Sequence, residues 1–528
     1  MADNVIQLKA GQNIPLNGEV LRFSAKAGAA LDVSALVVAE NLRVFDASDF
    51  VFYNQPSTGG VALDGDEVSI TLAEVRADAK AVLLVVSADP AAPGGGELGP
   101  VTASLSENGT VTAEFAIAPA AGEAALICLE VYRRGDAWKV RAVGQGYAGG
   151  LPVLLPAHGV EVSGGPDAAA HAPHPASDRD AIAGPQQAQH PTGGPGLEVS
   201  HGLERLWMIF EDAARSAAAL ISARDYAAKR LDEELSAAVS DPATRNTPVA
   251  EAKRQEAQRR SDELVAVAEG NHRRDSEHLM RELAEADRLL PPALASWSSP
   301  AWEGRAKPSD GIRLGELYAI ERGSLRIPYC VPVPLTRPLW IDTEHSAAVV
   351  PVVGALLARL LASDPGRRTR IDAIDLTGAF TGLLAPLGAV LNGPPITDHG
   401  DISARLQALV DAAELAEMAY NSGAFTPPAE HRVLLAADFP HGYQASDAQR
   451  ITALTLRGDL IGLSIVIVGS DESESPDGTV AALSQACRHL PTVEDTPLFD
   501  PWTGSAWQLE LDLLPSDPQR AAKLLRSE

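Results

Sequence analysis

Between Asp46 and Glu67 six oxygen-bearing side chains, Asp46, Asp49, Asn54, Asp64, Asp66 and Glu67, surround the run Phe50-Val51-Phe52-Tyr53. Aromatic and β-branched residues in a row predict a strand buried on at least one face. Gly59-Gly60 and Asp64-Gly65 supply turns that fold the chain back and bring the acidic ends together. Calcium takes about six to eight oxygen ligands, and a turn-rich acidic loop on a stiff strand can provide several of them. The spacing matches no EF-hand loop, so the residues alone also fit an ordinary hairpin with solvated acids at its ends.

A second stretch, Glu130-Val-Tyr-Arg-Arg-Gly-Asp-Ala-Trp-Lys-Val-Arg-Ala-Val-Gly-Gln-Gly-Tyr-Ala-Gly-Gly-Leu151, resembles the closing signature of the TerD family of tellurium-resistance and stress-response proteins. So do Leu31-Asp32-Val33-Ser34-Ala35 and Asp49-Phe50-Val51-Phe52-Tyr53-Asn54-Gln55-Pro56, in the family's order, over most of residues 1–162. The resemblance implies a β-sandwich, calcium held by acidic loops at one end, and a non-enzymatic role in resistance to tellurite and other stresses. Asp32, Asp49, Asp66 and Glu67 carry over best as ligands; Asp46, Asn54 and Asp64 are further candidates. Two departures are visible. The acidic loop is cut down to Leu63-Asp64-Gly65-Asp66-Glu67, and Ala47 stands where the family has an aspartate. They imply a weakened or single calcium site.

The totals narrow the classes. A length of 528 residues predicts several domains, and 45% apolar residues suffice for real cores. A formal net charge of −27 argues against a duplex nucleic-acid binder and against an anionic membrane surface. Cys128, Cys330 and Cys487 are too scattered for a metal or disulfide framework, which fits a reducing compartment. The start, Met1-Ala2-Asp3-Asn4, lacks the apolar core of a signal peptide, and the apolar run Ala347 to Ala358 contains Pro351 and ends at Arg359. The expected setting is the cytoplasm.

Residues 1–162 alternate short apolar runs with turns, as an all-β sandwich does. Expected strands include 20–24, 36–38, 50–53, 67–72, 82–87, 99–105, 111–115, 124–131 and 137–143, with Gly135-Asp136 as a hairpin turn. Gly144, Gly146, Gly149 and Gly150 read as an irregular turn; no Lys-Ser/Thr and no helical pattern follow them, so they are not read as a phosphate loop. Residues 163–200, rich in Pro, Gly and Ala with His171, His174 and His190, read as a disordered linker. Over 201–290, Leu203, Leu206, Trp207, Phe210, Ala214, Ala217 and Ile221 share one helical face, and Pro242 and Pro248 break the pattern. A helical hairpin or short coiled coil results, either a spacer or a surface for self-association.

Residues 311–528 read as α/β with a mainly parallel sheet: strands at 339–341, 370–376, 433–438, 461–468 and 507–511, helices at 347–361 and 402–420. The order of elements, and Val433 to Asp438 followed by Phe439-Pro440-His441-Gly442, resemble a divergent FtsK/HerA-type domain of the P-loop NTPase class. An active member would follow its first strand with a Gly-rich loop ending in Lys-Ser/Thr. Here the loop is Asp342-Thr343-Glu344-His345-Ser346, without glycine or lysine and with carboxylates that repel phosphate. The domain is therefore read as degenerate, with Asp438 where a magnesium-orienting acid would stand.

The reading that results is a TerD-like, calcium-binding, non-enzymatic stress protein. Its expected partners are other stress-response or Ter-type proteins and an active FtsK-like ATPase. The alternatives are a metal-free interaction scaffold and, from the enzyme class, a component of an ATP-driven translocase. No Gly-x-Ser-x-Gly or His-Glu-x-x-His motif occurs to suggest a hydrolase.

Overall fold

The computed structural model describes residues 5–88, 98–120, 122–135, 137–160, 202–239, 247–304, 307–364, 368–493, 497–500 and 505–525. The expected linker at 163–200, and Asp136 of the expected hairpin turn, lie outside the described residues. The chain forms two compact units. One comprises Met1–Glu198, Glu211–His278 and Asp500–Ser505; the other comprises Val199–Phe210, Leu279–Phe499 and Ala506–Glu528.

In the first unit the strands are β1 Ile6–Leu8, β2 Asn13–Pro15, β3 Val20–Ala27, β4 Leu31–Val38, β5 Phe50–Val51, β6 Ser57–Thr58, β7 Val61–Asp64, β8 Glu67–Thr71, β9 Ala81–Ala88, β10 Val101–Glu107, β11 Thr110–Ile117, β12 Glu123–Arg134 and β13 Ala137–Ala148. They form a seven-stranded sheet, β1-β11-β10-β3-β8-β7-β6, and a six-stranded sheet, β2-β13-β12-β9-β4-β5. Alternate residues of both sheets meet in one core, with Phe23, Val68 and Leu105 from the first facing Val37, Leu84 and Leu126 from the second. The six-stranded sheet also buries residues outside that core, among them Leu36, Leu83 and Ile127. Its strand Ala81–Ala88 is accordingly apolar without a break from Ala81 to Val86.

The cover on that outer face comes from helices α1 Leu151–Ala157, α2 Gly202–Val239 and α3 Pro248–Asp287. Ser222 of α2 bonds the Val153 carbonyl of α1 at 2.7 Å, and Arg215 of α2 pairs with Glu130 of β12 at 3.1 Å. Helices α2 and α3 run antiparallel: Ser216 meets His272, Arg224 meets Glu269, and Arg260 meets Glu234. Two expectations need correction here. The strand at 50–53 stops at Val51, because Phe52 and Gln55 close a tight turn on each other and leave Tyr53 exposed. Gly144 and Gly146 lie inside β13 rather than after it, and helix α1 does follow Gly149-Gly150.

In the second unit the elements are β14 Gly311–Tyr318, β15 Ile327–Pro332, β16 Leu339–Asp342, α4 Val350–Ser363, β17 Arg368–Ile374, α5 Thr381–Leu384, α6 His399–Asn421, β18 Glu430–Phe439, α7 Ala445–Arg457, β19 Leu463–Gly469, α8 Gly478–Ala486, β20 Arg488–Pro491, β21 Pro497–Asp500, β22 Ser505–Leu511 and α9 Pro518–Leu525. The central sheet is five-stranded, β17-β18-β19-β16-β20, and its pairs are parallel. Successive residues point to opposite faces: Leu339 and Ile341 enter a core with α4, whereas Trp340 enters a core with α6, α7 and α8. The helical stretch Ser346–Ser363 is long and apolar enough to cross a membrane by composition, and 72% of it is buried here against the sheet. The strand expected at 507–511 lies elsewhere. It is β22 of a four-stranded sheet, β15-β14-β22-β21, where it runs antiparallel to β14.

Close backbone approach sets one local constraint. A Cβ on Gly469, at the end of β19, would lie 1.8 Å from the Phe439 carbonyl oxygen. Gly469→Ala is therefore expected to destabilise the second unit by more than about 2 kcal/mol, read by urea unfolding. An unchanged midpoint would contradict this packing.

Candidate functional site

At the acidic end of the first unit, Asp46 caps the 3-10 turn Ala47–Asp49 that leads into β5. Its carboxylate accepts the Ser48 amide at 2.7 Å, and Asp49 in return accepts the Asp46 amide at 3.3 Å. Asp49 is 2% exposed. Burial pushes its carboxyl up, against the pull of the Asp46 amide and the Arg76 charge. The Arg76 guanidinium reaches Asp49 at 3.1 Å and grips Asp78 with two bonds, 2.8 and 3.1 Å, while stacking 3.7 Å above the Phe45 ring. Gln55 donates its side-chain amide to the Ala47 and Phe50 carbonyls at 3.0 and 2.7 Å.

The other candidates stand elsewhere. Asp64 and Glu67 face each other across the Gly65-Asp66 turn between β7 and β8, in the opposite sheet, and Glu67 pairs with Arg22 at 3.4 Å. Asp32 lies on β4 opposite Ser87, and Asn54 sits in the exposed Phe52–Gln55 turn. Among the described residues no group of three or more His, Cys, Asp or Glu side chains is placed to hold a metal ion. As placed, these residues do not fit a calcium cage. Sequence reasoning missed Arg76 and Gln55; the spacing Arg76-Ala-Asp78 beside the acidic run was the available signal.

Between the six-stranded sheet and α2 lies a second charged group. Arg141 of β13 is buried among Glu130, Glu211 and Asp212, at 3.7 and 3.2 Å from the first two and hydrogen-bonded to the third. Arg215 pairs with Glu130 and with Asp212 at 3.3 Å. Thus three carboxylates share two guanidiniums. Burial, together with the Glu130 charge, raises the Glu211 carboxyl to about 7, although about a third of that side chain (36%) still meets water and moderates the effect.

In the second unit the crevice beyond the carboxyl ends of β16 and β19 is where a doubly wound sheet binds ligands, because the connections leaving these strands go to opposite faces. Here the acids at the strand ends are engaged by the chain's own side chains. Asp342 holds His489 Nδ1 at 2.7 Å, Nε2 faces the Ser484 carbonyl at 2.9 Å, and Trp340 stacks on the imidazole at 5.4 Å. Burial opposes the charge on His489, but the bonds to Asp342 and Ser484 outweigh it and its pKa is raised. Ser484 Oγ lies 3.1 Å from Nε2, yet Ser484 is fully buried and Nε2 already faces an acceptor, so this is no nucleophile. Asp438 adopts φ +62° and accepts Ser346 Oγ at 2.6 Å and the Thr377 amide at 3.0 Å. Asp375 is buried beneath; burial first, then the Asp438 charge, raises its carboxyl.

The fold thus joins a two-sheet domain with an acidic end to a doubly wound domain without a phosphate loop. The family model for the TerD domain matches residues 5–158. Tellurium resistance protein TerD of Serratia marcescens is 33% identical over 152 residues, which cover 25% of this chain and 79% of that protein. TerD of an Alcaligenes species is 32% identical over 152 residues, covering 25% and 79%. The uncharacterized protein YceE of Bacillus subtilis is 26% identical over 173 residues, covering 28% and 88%. The chain belongs to the TerD family, by way of its N-terminal domain.

Among solved structures, EssC (ATPases 2 and 3) of Geobacillus thermodenitrificans has a TM-score of 0.33 at 11% identity, over 45% of this chain and 50% of that one. The cytoplasmic domain of the type VII secretion ATPase EccC of Thermomonospora curvata has a TM-score of 0.31 at 13% identity, over 39% and 26%. The chain therefore spans half or less of these ATPase structures.

The charged seam makes a pH prediction. An acid whose pKa is raised by folding binds its proton more tightly when folded. Its contribution is present in full below the unfolded value and is lost as pH rises to about 7. The melting temperature of the first unit's transition should fall between pH 5 and pH 8, and Glu211→Gln should flatten that fall. An equal slope in the variant would contradict the assignment.

Proposed function

We propose that this protein serves tellurium resistance or a related stress response without catalysis, by binding protein partners, and that its doubly wound domain is kept as architecture rather than as a motor. The observation that supports this reading best is the loop after β16, which carries a held carboxylate in place of a phosphate loop. Where a nucleotide's phosphates would need backbone amides and a lysine, the chain presents Asp342, held by His489, in a loop without glycine or lysine. Phosphate there would approach the Asp342 carboxylate without a lysine to pair with.

The partners that suit this reading are other Ter-type stress proteins and an active FtsK-like ATPase. The helices α2 and α3 spend one face on the six-stranded sheet of their own chain, which leaves their charged outer faces for association. In this reading the TerD domain supplies the stress role.

Two measurements test it together. Purified full-length protein should hydrolyse ATP no faster than a buffer blank with magnesium. Asp342→Asn and Asp438→Asn proteins should protect tellurite-challenged cells as well as the unaltered chain does. Magnesium-dependent hydrolysis abolished by Asp438→Asn, or loss of protection by both folded variants, would refute it.

A further inference from the structure

We infer that Arg76 is a built-in cation that takes the place of a metal ion at the Asp46–Asp49 turn, so that the acidic end of this TerD domain is complete without calcium. The inference rests on the family assignment of residues 5–158.

The carboxylate that most needs a positive charge is Asp49, because it is the buried one. Arg76 meets it at 3.1 Å, and the same guanidinium spans to Asp78 with two further bonds. A metal would draw on backbone carbonyls as well as carboxylates. Two carbonyls of this turn already have a donor: Gln55 donates to Ala47 O at 3.0 Å and to Phe50 O at 2.7 Å. Asp46 uses Oδ1 to cap Ser48.

Arg76 is itself held in place. Arg133, from β12, donates to the Val75 carbonyl at 2.9 Å and to the Arg76 and Ala77 carbonyls at 3.2 Å, fixing the loop from which Arg76 projects. The Phe45 ring supports the guanidinium from below at 3.7 Å. A planar, permanently charged fork suits this role better than a hydrated ion, because it bridges a buried and an exposed carboxylate at once. The acids that could have completed a coordination sphere, Asp64, Asp66 and Glu67, stand on a hairpin of the opposite sheet, and Glu67 has Arg22.

The test uses the full-length chain, with calcium as the only probe and magnesium and a chelator as controls. The unaltered protein should melt at the same temperature in chelator and in millimolar calcium. A site filled at a hundred times its Kd would raise the midpoint by several degrees. Arg76→Gln should lower the midpoint. Adding Asp49→Asn to Arg76→Gln should recover part of that loss, since the stranded carboxylate is then gone. Arg76→Lys, which keeps the charge, should stay closer to the unaltered chain than Arg76→Gln does.

Calcium stabilisation of the unaltered protein that disappears in Asp49→Asn would overturn the inference. So would additive effects of Arg76→Gln and Asp49→Asn, because they would mean that the two side chains do not act as a pair. ATP hydrolysis by the chain would refute the functional reading above and leave this one standing.

Discussion

A carboxylate removed from water must be answered by a positive charge or by several donors, and this constraint runs through both units of the chain. Asp49 is answered by Arg76, Glu130 by Arg215 and Arg141, Asp372 by Arg405, Asp447 by Arg450, and Asp512 by Arg359 and Arg313. The cation is arginine each time. Arg141, Arg215 and Arg359 are among the largest fully buried side chains of the molecule. Guanidinium suits this use because it is weakly hydrated, stays charged, and donates in several directions from one plane. Arg359 shows the range: besides pairing with Asp512, it donates to the Ala293 and Ala295 carbonyls at 3.0 and 2.9 Å and lies 4.2 Å from the Trp297 ring centre. Such pairs add little net stability over an apolar substitute, but losing one partner leaves a buried charge and costs about 3–5 kcal/mol. They therefore fix how elements sit: Arg215 on Glu130 sets α2 against β12.

The same pairing engages acids at the two places where a ligand would be sought. At the turn before β5, Arg76 engages Asp49, Gln55 the Ala47 and Phe50 carbonyls, and Ser48 one oxygen of Asp46; at the ends of β16 and β18, His489 engages Asp342, and Ser346 and Thr377 engage Asp438. A formal net charge of −27 remains, and among the described residues few of the acids behind it are buried. Such long-range charge governs encounter with other molecules more than it governs fold.

Much of the fold was legible in the sequence, and the reasons are physical. The alternation in Val20–Ala27 and the unbroken apolar runs Ala81–Val86 and Val433–Ala437 report burial on one face or on two, and the structure makes strands of all three. The helical stripe from Leu203 to Ile221 lies on α2. What could not be read was set by distant partners. The strands β14 and β15 lack a sharp period, and their place depends on β22, nearly two hundred residues away in sequence. The strand at Phe50 ends at Val51 because Gln55 turns back onto it, a bond that composition does not announce. The candidate ligands were visible as residue types, whereas their distribution over two sheets, and the insertion of Arg76 beside Asp49, are facts of register and loop path.

The most direct test of the central claim, that the chain's own side chains stand in for ligands at the acidic turn before β5 and after β16, is native mass spectrometry of the full-length protein. It would be sprayed after incubation with calcium and, separately, with magnesium and ATP. The account predicts the bare chain mass in both cases, with any adducts no more abundant than those of an unrelated acidic protein of similar charge. A discrete one-to-one complex with calcium that survives dilution, or with nucleotide and magnesium, would contradict it.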